Sequence, residues 1–118
     1  MIKFVVATDF IKYTGSRYRK HGKHSGEELC DMLVPLLREV EQGRSRLLVD
    51  LDGTSGYARS FIEEAFGGLV RRYGFNRLFL LRFLTLKSEE ENRLIIEAWA
   101  DIKDADKEWQ DEKTEAIN

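Results

Sequence analysis

The sequence predicts an α/β domain in which a small mixed sheet packs against three or four helices. Short apolar runs alternate along the chain with longer segments whose apolar residues recur every three or four positions. Three serines are each followed, three residues later, by a glutamate, which is the spacing of a helix-capping box. The 118 residues, 42% of them apolar, suit one core and predict a single domain over residues 1–118.

Composition excludes several classes of protein. The sole cysteine, Cys30, leaves no means of building a disulfide framework or a cysteine-rich zinc site. No apolar run approaches the ~20 residues of a membrane span, and residues 2–7 lack the flanks of a signal peptide. We therefore expect a cytoplasmic protein that does not enter a membrane.

Charge is distributed unevenly along the chain. Residues 1–24 hold six Lys or Arg against one Asp, a net charge of +5. Residues 88–118 hold eleven Asp or Glu against four Lys or Arg, a net charge of −7. The acidic end, strongly charged from about residue 103, predicts either a solvated helix or a tail that faces a partner.

The first predicted element is a strand. Residues 2–7 (IKFVVA) are rich in β-branched and aromatic side chains, which pack well on a pleated surface. Residues 9–24 have no periodicity and predict a long loop with a short strand near Tyr18. A loop of about sixteen residues in a small domain is often functional.

A helix and a second strand follow this loop. Ser25 and Glu28 have the capping-box spacing, and apolar residues then recur at helical spacing as far as Gly43. Residues 46–51 are apolar apart from one arginine and one aspartate and predict a central, parallel strand.

A second helix is predicted from Ser60 to about residue 73. Ser60 and Glu63 repeat the capping-box spacing, so Ser60 is the expected amino-terminal cap. Gly67 and Gly68 cost about 1 kcal/mol each relative to alanine inside a helix. They therefore predict a close approach to the sheet or to a partner.

The last third of the chain predicts one more strand and one more helix. Residues 77–84 (RLFLLRFL) form the most apolar run and predict a strand near the middle of the sheet. Ser88 and Glu91 then precede an amphipathic helix whose apolar face reaches at least Ile102.

Two carboxylates mark a candidate ligand site. Asp50 and Asp52 end the predicted second strand, where open α/β sheets usually bind ligands, and they could hold Mg²⁺ or accept a phosphoryl group. The alternative is that Asp52 and Gly53 only build the turn that ends the strand. Because the sequence offers no obvious third ligand, we expect no metal, no cofactor and no catalysis.

Ser60 is a candidate phosphorylation site, because the amino terminus of a helix stabilises an added phosphate. Capping explains the same serine equally well. No histidine lies near it in sequence, and its neighbours lack the Gly-x-Ser-x-Gly spacing of a hydrolase, so we do not expect a catalytic nucleophile.

The basic loop, defined as residues 12–24, is a second candidate site. Its cations and aromatic side chains could bind phosphate or single-stranded nucleic acid. His21 and His24 have a spacing that suits metal ligation, but the neighbouring cations would repel a divalent ion. The expected phosphate contacts are Arg17, Tyr18, Arg19, Lys20 and Lys23.

Two stretches of the chain resemble a known family. TGSRYRKHGKHSGEEL and DLDGTSGYARSFIEEAFGGLV are similar to the STAS-like family of small bacterial domains, over roughly residues 10–85. The positions that match the family pattern are Gly15, Arg17 and Tyr18; Ser25 to Glu28; Asp50 to Gly53; Gly56, Tyr57, Ser60 and Phe61; and Glu64 to Leu69.

This resemblance implies a regulatory function. STAS domains of the anti-sigma-factor-antagonist type are non-enzymatic switches that bind a histidine-kinase-like ATPase and are phosphorylated on a serine at the start of their second helix. By spacing, their Asp-Ser-Ser triplet falls on Ala58, Arg59 and Ser60, so arginine occupies the usual phosphoacceptor position. Arg59 is then expected to offer a positive charge to an acidic or phosphate-bearing partner.

We therefore expect a non-catalytic regulatory module that docks on a protein partner, such as a histidine-kinase-like ATPase, through residues 54–61. The alternative is a phosphate or nucleic-acid binder that uses the basic loop. The expected partner contacts are Thr54, Ser55, Tyr57, Arg59, Ser60 and Phe61.

Overall fold

A three-stranded sheet organises the molecule, of which the computed structural model describes residues 1–117. The strands are β1 (Ile2–Val5), β2 (Leu47–Asp50) and β3 (Leu84–Lys87). β2 lies in the centre and pairs in parallel with both neighbours. The α/β class is thus confirmed, and within the described residues the sheet is wholly parallel where a mixed one was expected.

Helices connect the strands and extend the chain beyond them. They are α1 (Gly26–Gly43), α2 (residues 59–71), α3 (Arg77–Phe83) and α4 (Arg93–Ile117). A short π-helical segment, Val6–Phe10, follows β1, so the strand predicted over residues 2–7 ends at Val5. In α2, a π-helical segment, Glu63–Gly67, separates the α-helical turns Arg59–Ile62 and Gly68–Arg71. None of the helices within residues 1–117 has the length and apolar character needed to cross a membrane.

The helices cover one face of the sheet. Phe4, Val49 and Leu86 lie side by side across the three strands, and all three are buried. The neighbouring row, Lys3, Leu48 and Thr85, is exposed or half-buried. Because successive side chains of a strand point to opposite faces, the second face of the sheet remains partly open.

The amino terminus of α1 is closed by the chain itself. The hydroxyl of Ser25 accepts a hydrogen bond from the backbone N–H of Glu28 at 3.1 Å, which confirms the predicted cap. The backbone carbonyls of Ser16 and Arg17 accept the N–H groups of the first two helical residues at 2.9 and 3.0 Å. The basic loop therefore docks on the start of α1.

The basic loop contains no strand, contrary to the prediction near Tyr18. A short 3₁₀ turn, Arg19–His21, takes its place. The loop closes on itself, because the N–H of Gly15 donates to the carbonyl of His24 at 2.9 Å. The N–H of Gly15 and the carbonyl of His24 are therefore not free to form hydrogen bonds with a neighbouring strand.

Residues 77–83 form the helix α3, so the prediction of a strand over residues 77–84 is wrong. The side chain of Asn76 caps this helix by accepting the N–H of Phe79 at 2.8 Å. Phe75, Phe79 and Phe83 then stack along one side, with ring centroids 5.0 and 4.8 Å apart. A run that is apolar at nearly every position carries no clear period, which is why its pattern also fitted a strand.

Candidate functional site

Two loops meet beyond the carboxyl ends of neighbouring strands. The β2 loop, defined as residues 51–58, follows β2, and the β3 loop, defined as residues 88–92, follows β3. In a parallel sheet these ends share one edge, which is where α/β proteins usually bind their ligands.

Asp52 joins the two loops through hydrogen bonds. Its carboxylate accepts hydrogen bonds from the hydroxyl of Ser88 at 3.0 Å and from the N–H groups of Glu89 and Glu90 at 2.8 and 3.1 Å. These bonds, first among them the one from Glu89, lower the pKa of Asp52 below its usual value. The carboxylate of Glu90 in turn accepts the N–H of Gly53 at 3.2 Å.

Asp50 also serves the turn. One of its carboxylate oxygens accepts the N–H of Asp52 at 3.0 Å, and the other lies 3.7 Å from the ammonium of Lys87. Within the part of the chain that the structure describes, no three His, Cys, Asp or Glu side chains are placed to hold a metal ion. These hydrogen bonds of Asp50 and Asp52 support the interpretation that Asp52 and Gly53 build the turn that ends β2.

The basic loop braces the β2 loop from one side. The N–H of Ser55 donates to the carbonyl of Lys12 at 2.8 Å. The hydroxyl of Thr14 donates to the carbonyl of Gly56 at 2.5 Å. The β2 loop is thus tied to a segment about forty residues away in sequence.

Two glycines and a tyrosine fix the backbone of the β2 loop. Gly53 and Gly56 have φ angles of 89° and 123°, which side-chain-bearing residues rarely adopt. The phenol of Tyr57 donates to the carbonyl of Leu51 at 2.7 Å, and burial raises its pKa. The loop is therefore a preformed surface whose shape depends on these residues.

Arg59 already has a partner within the chain. Its guanidinium forms a bidentate pair with the carboxylate of Asp101 on α4, at 2.6 and 2.5 Å. The side chain of Arg59 is 50% exposed, whereas that of Asp101 is only 6% exposed. The charge expected to face an acidic partner is thus balanced by a nearly buried carboxylate.

The start of α2 differs from the prediction at two residues. Ala58 is the amino-terminal cap, and Ser60 lies inside the first turn, because the carbonyl of Ala58 already accepts the N–H of Ile62 at 3.3 Å. The prediction that Ser60 caps α2 is therefore wrong. Phosphorylation of Ser60 stays a prediction. Phe61 is fully buried and packs near the ring of Tyr57, so it lies out of reach of a partner.

A cavity of about 250 Å³ lies between the β2 loop and the β3 loop. Part of its wall is apolar, formed by Leu51, Leu94 and the ring of Tyr57. The rest of the wall carries hydroxyl and carboxylate groups, among them those of Thr54, Ser88, Glu90 and Glu91.

Arg17 is bound into an ion network with α2. Its guanidinium lies 2.5 Å from the carboxylate of Glu63 and 3.4 Å from that of Glu64, which is 4% exposed. Arg71 binds the same two carboxylates at 2.6 and 3.2 Å. Burial alone would raise the pKa of Glu63, but the hydrogen bonds from Arg71 and Arg17 lower it. Arg17 therefore holds the basic loop against α2, which occupies the guanidinium expected to bind phosphate.

The close approach expected at Gly67 and Gly68 exists, but it is made to α1 and to the ion network instead of the sheet. A Cβ atom on Gly68 would lie 3.2 Å from the sulfur of Cys30. A Cβ atom on Gly67 would lie 2.6 Å from the carboxylate of Glu63. The two glycines thus leave room for the paired carboxylates.

The remaining cations of the basic loop are less constrained. Arg19 pairs with the carboxylate of Asp31, whereas within the described residues Lys20 and Lys23 have no carboxylate within 4.0 Å. The ammonium of Lys20 lies 5.5 Å from the centre of the Tyr18 ring. A cavity of about 360 Å³ is lined by Tyr18, Arg19 and Lys20 and by the carboxylate-bearing Glu27.

Comparison with known proteins gives one family. The family model described as "STAS-like domain of unknown function (DUF4325)" matches residues 25–92, which is 68 of the 118 residues. The chain belongs to this family. No curated protein and no solved structure matches this STAS-like domain.

The family match covers most of the candidate site. The β2 loop, the β3 loop and α2 lie within residues 25–92, whereas the basic loop and α4 lie outside them. In this STAS-like domain, α4 adds two contributions that the sequence did not predict, the Asp101 partner of Arg59 and the Leu94 wall of the cavity. Local sequence patterns could not predict either contribution, because Asp101 lies 42 residues from Arg59 and Leu94 is similarly far from Leu51, which it meets across the cavity.

Proposed function

We propose that this STAS-like domain is a non-catalytic regulatory module that binds a protein partner through a docking surface formed by residues 54–60. The observation that carries the proposal is the fixed shape of the β2 loop. Hydrogen bonds from the basic loop, to the β3 loop and from its own Tyr57 hold the loop in place. A preformed surface loses little conformational entropy on binding, which favours recognition. By resemblance to the anti-sigma-factor antagonists, the proposed partner is a histidine-kinase-like ATPase.

The exposed side chains of the docking surface are small or polar. Ser55, Ala58 and Arg59 are exposed, and Thr54 and Ser60 are half-buried. Ala58 has no side-chain hydrogen bond in its role as cap, so it can be changed without breaking one. A bulky, charged residue at Ala58 should therefore obstruct a partner while leaving the fold intact.

Affinity capture tests this proposal. The tagged full chain is used to capture proteins from the native host, in parallel with the variants Ala58→Arg and Gln42→Arg. Gln42 is exposed on α1, so its variant adds the same charge away from the docking surface. We expect the wild type and Gln42→Arg to recover a histidine-kinase-like ATPase, and Ala58→Arg to recover about tenfold less. Recovery of no ATPase, or equal recovery by both variants, would contradict the proposal.

A second candidate function is phosphate or nucleic-acid binding, and the cavity beside Tyr18 and Lys20 is the observation that favours it. Because Arg17 and Arg19 are paired with carboxylates, Lys20 and Lys23 are the cations that would bind phosphate. Fluorescence anisotropy with a labelled single-stranded oligonucleotide should show salt-sensitive binding. Replacing both lysines by alanine should reduce the salt slope by about 1.4, and an unchanged slope would exclude this function.

A further inference from the structure

The cavity between the β2 loop and the β3 loop has room for one side chain. Its volume of about 250 Å³ is smaller than the roughly 300–1,000 Å³ of pockets that enclose small-molecule ligands. Protein interfaces are commonly anchored by single side chains that fill such pockets, and arginine is among the residue types used most often. The size therefore suits an anchor from a partner better than a complete metabolite.

The wall of the cavity changes from apolar to anionic. Leu51 and Leu94 are buried, at 1% and 4% exposure, whereas Glu90 and Glu91 are exposed. A lysine or arginine lying across the cavity can rest its alkyl stem on the leucines and keep its charged end at the carboxylates. The ring of Tyr57 offers a further surface on which a cation is attracted.

The carboxylates of the cavity retain capacity to accept hydrogen bonds. Glu90 accepts the N–H of Gly53 at 3.2 Å, and Glu91 lies 3.2 Å from the guanidinium of Arg93. A carboxylate has about four acceptor positions, so each of these groups can bind another donor. A cation is attracted to both groups, and an anion is repelled.

The surroundings of the cavity are negatively charged. Residues 50–59 and 87–101 contain seven Asp or Glu and three Lys or Arg, which gives a net charge of −4. All three cations, Arg59, Lys87 and Arg93, lie within 4.0 Å of a carboxylate of the same region. The excess charge at this edge of the sheet is therefore negative, which steers a positively charged partner toward it.

We infer that this cavity receives a lysine or arginine side chain of the partner protein, and that the partner's docking segment is basic. The inference rests on the proposed function and adds the chemistry of the partner. Arg59 alone would suggest a negatively charged partner. The inferred partner is positively charged instead, because the charge of Arg59 is neutralised by Asp101.

Nuclear magnetic resonance of the isotope-labelled full chain tests the inference with N-acetyl-arginine amide as probe and N-acetyl-glutamate amide as comparison. We expect the arginine probe to shift amide signals of the β2 and β3 loops, with a dissociation constant on the order of 1 mM. The double variant Glu90→Gln/Glu91→Gln should weaken this binding by about tenfold. Glu39→Gln/Glu41→Gln removes the same charge from exposed positions of α1 and should leave it unchanged.

Three results would overturn the inference. They are the absence of shifts with the arginine probe, equal shifts with the glutamate probe, and equal affinity in the two double variants. Shifts of the same amides by Mg²⁺ alone, at lower concentration than the arginine probe, would assign the cavity to a metal ion instead.

The capture assay separates this inference from the proposed function. If Ala58→Arg loses the partner and Glu90→Gln/Glu91→Gln captures it as well as wild type, the proposed docking surface is supported. The inference that a basic side chain of the partner enters the cavity is then contradicted. If the arginine probe binds but neither variant alters capture, the cavity binds a basic side chain, and the proposal that residues 54–60 dock the partner is contradicted.

Discussion

Adjacent residues at the start of α2 show what a local pattern does and does not predict. The serine-to-glutamate spacing indicated a helix here, and α2 does begin within one residue of Ser60. The same spacing could not identify the cap, because the choice of Ala58 depends on the shape of the preceding loop. Nor could it show the charge of Arg59 to be balanced, since its partner lies in another helix.

Two serines predicted as caps should respond differently to alanine. Ser25→Ala removes a fully buried hydroxyl that accepts the N–H of Glu28, and we expect it to lower the free energy of unfolding by about 1 kcal/mol. Ser60→Ala should change this free energy by less than about 0.5 kcal/mol, because Ser60 is not the cap. Urea unfolding measures both, and an equal loss would contradict the assignment of Ala58.

The pair of Arg59 and Asp101 should be energetically coupled. Removing Arg59 leaves a nearly buried carboxylate without its partner, but the half-exposed guanidinium is screened by water, so we expect a coupling of only about 1 kcal/mol. A double-mutant cycle with Arg59→Met and Asp101→Asn, followed by urea unfolding, measures it. Additive effects of the two substitutions would show that the pair contributes nothing.

At the scale of elements, the secondary structure was predicted correctly where apolar residues recur with a clear period. It was predicted wrongly for the segment that has no such period. The helices α1 and α4 both have a regular apolar face, and Ser25 caps α1 as predicted. The helix α4 begins only at Arg93, so Ser88 is not its cap, and the hydroxyl of Ser88 instead accepts the N–H of Glu91 in the turn before the helix. The strand β2 was predicted from its buried run, flanked by turn residues. Residues 77–83 have apolar side chains on all sides, including the exposed Leu78 and Leu81, so their period gave no basis for choosing a helix.

The crossing of α1 and α2 depends on Gly26. A Cβ atom at this position would lie 2.4 Å from the backbone carbonyl oxygen of Phe61, which cannot move independently of α2. We expect Gly26→Ala to lower the free energy of unfolding by about 1–3 kcal/mol. Thermal or urea unfolding measures the change.

Gly43→Ala is the matched control for this substitution. Gly43 is the last residue of the same helix and has open space around its Cβ position. We expect the variant to be as stable as wild type, or more stable by up to about 1 kcal/mol. A loss at Gly43 equal to that at Gly26 would mean that the close approach to Phe61 does not explain the loss at Gly26, because alanine has the higher helix propensity at both positions.

For the whole molecule, paired carboxylates make stability depend on pH. The pKa values of Asp52 and Glu63 are lower in the folded chain than their ordinary values of 3.8 and 4.5. Their contribution to stability is therefore complete above about pH 5 and is lost as the pH falls through the lowered values. We expect the urea midpoint to decrease between pH 5 and pH 3.

A variant without one of these groups should lose less on acidification. Asp52→Asn should be less stable than wild type at pH 7 but should lose less stability between pH 5 and pH 3. The variant Glu39→Gln, at an exposed position of α1, should follow the wild-type curve. Identical acid dependence in Asp52→Asn and wild type would show that Asp52 is not among the groups responsible.

The parallel sheet also determines the order in which the chain can assemble during its synthesis. Ile2 of β1 is paired with Leu47 of β2, 45 positions later, and Leu47 is paired with Leu84 of β3, 37 positions later. β1 therefore emerges from the ribosome long before β2, and pairing that spans such distances is intrinsically slow. Until β2 has been made, β1 has no partner in this sheet, so the carboxyl edge of the sheet, where the β2 and β3 loops meet, is among the last features to be completed.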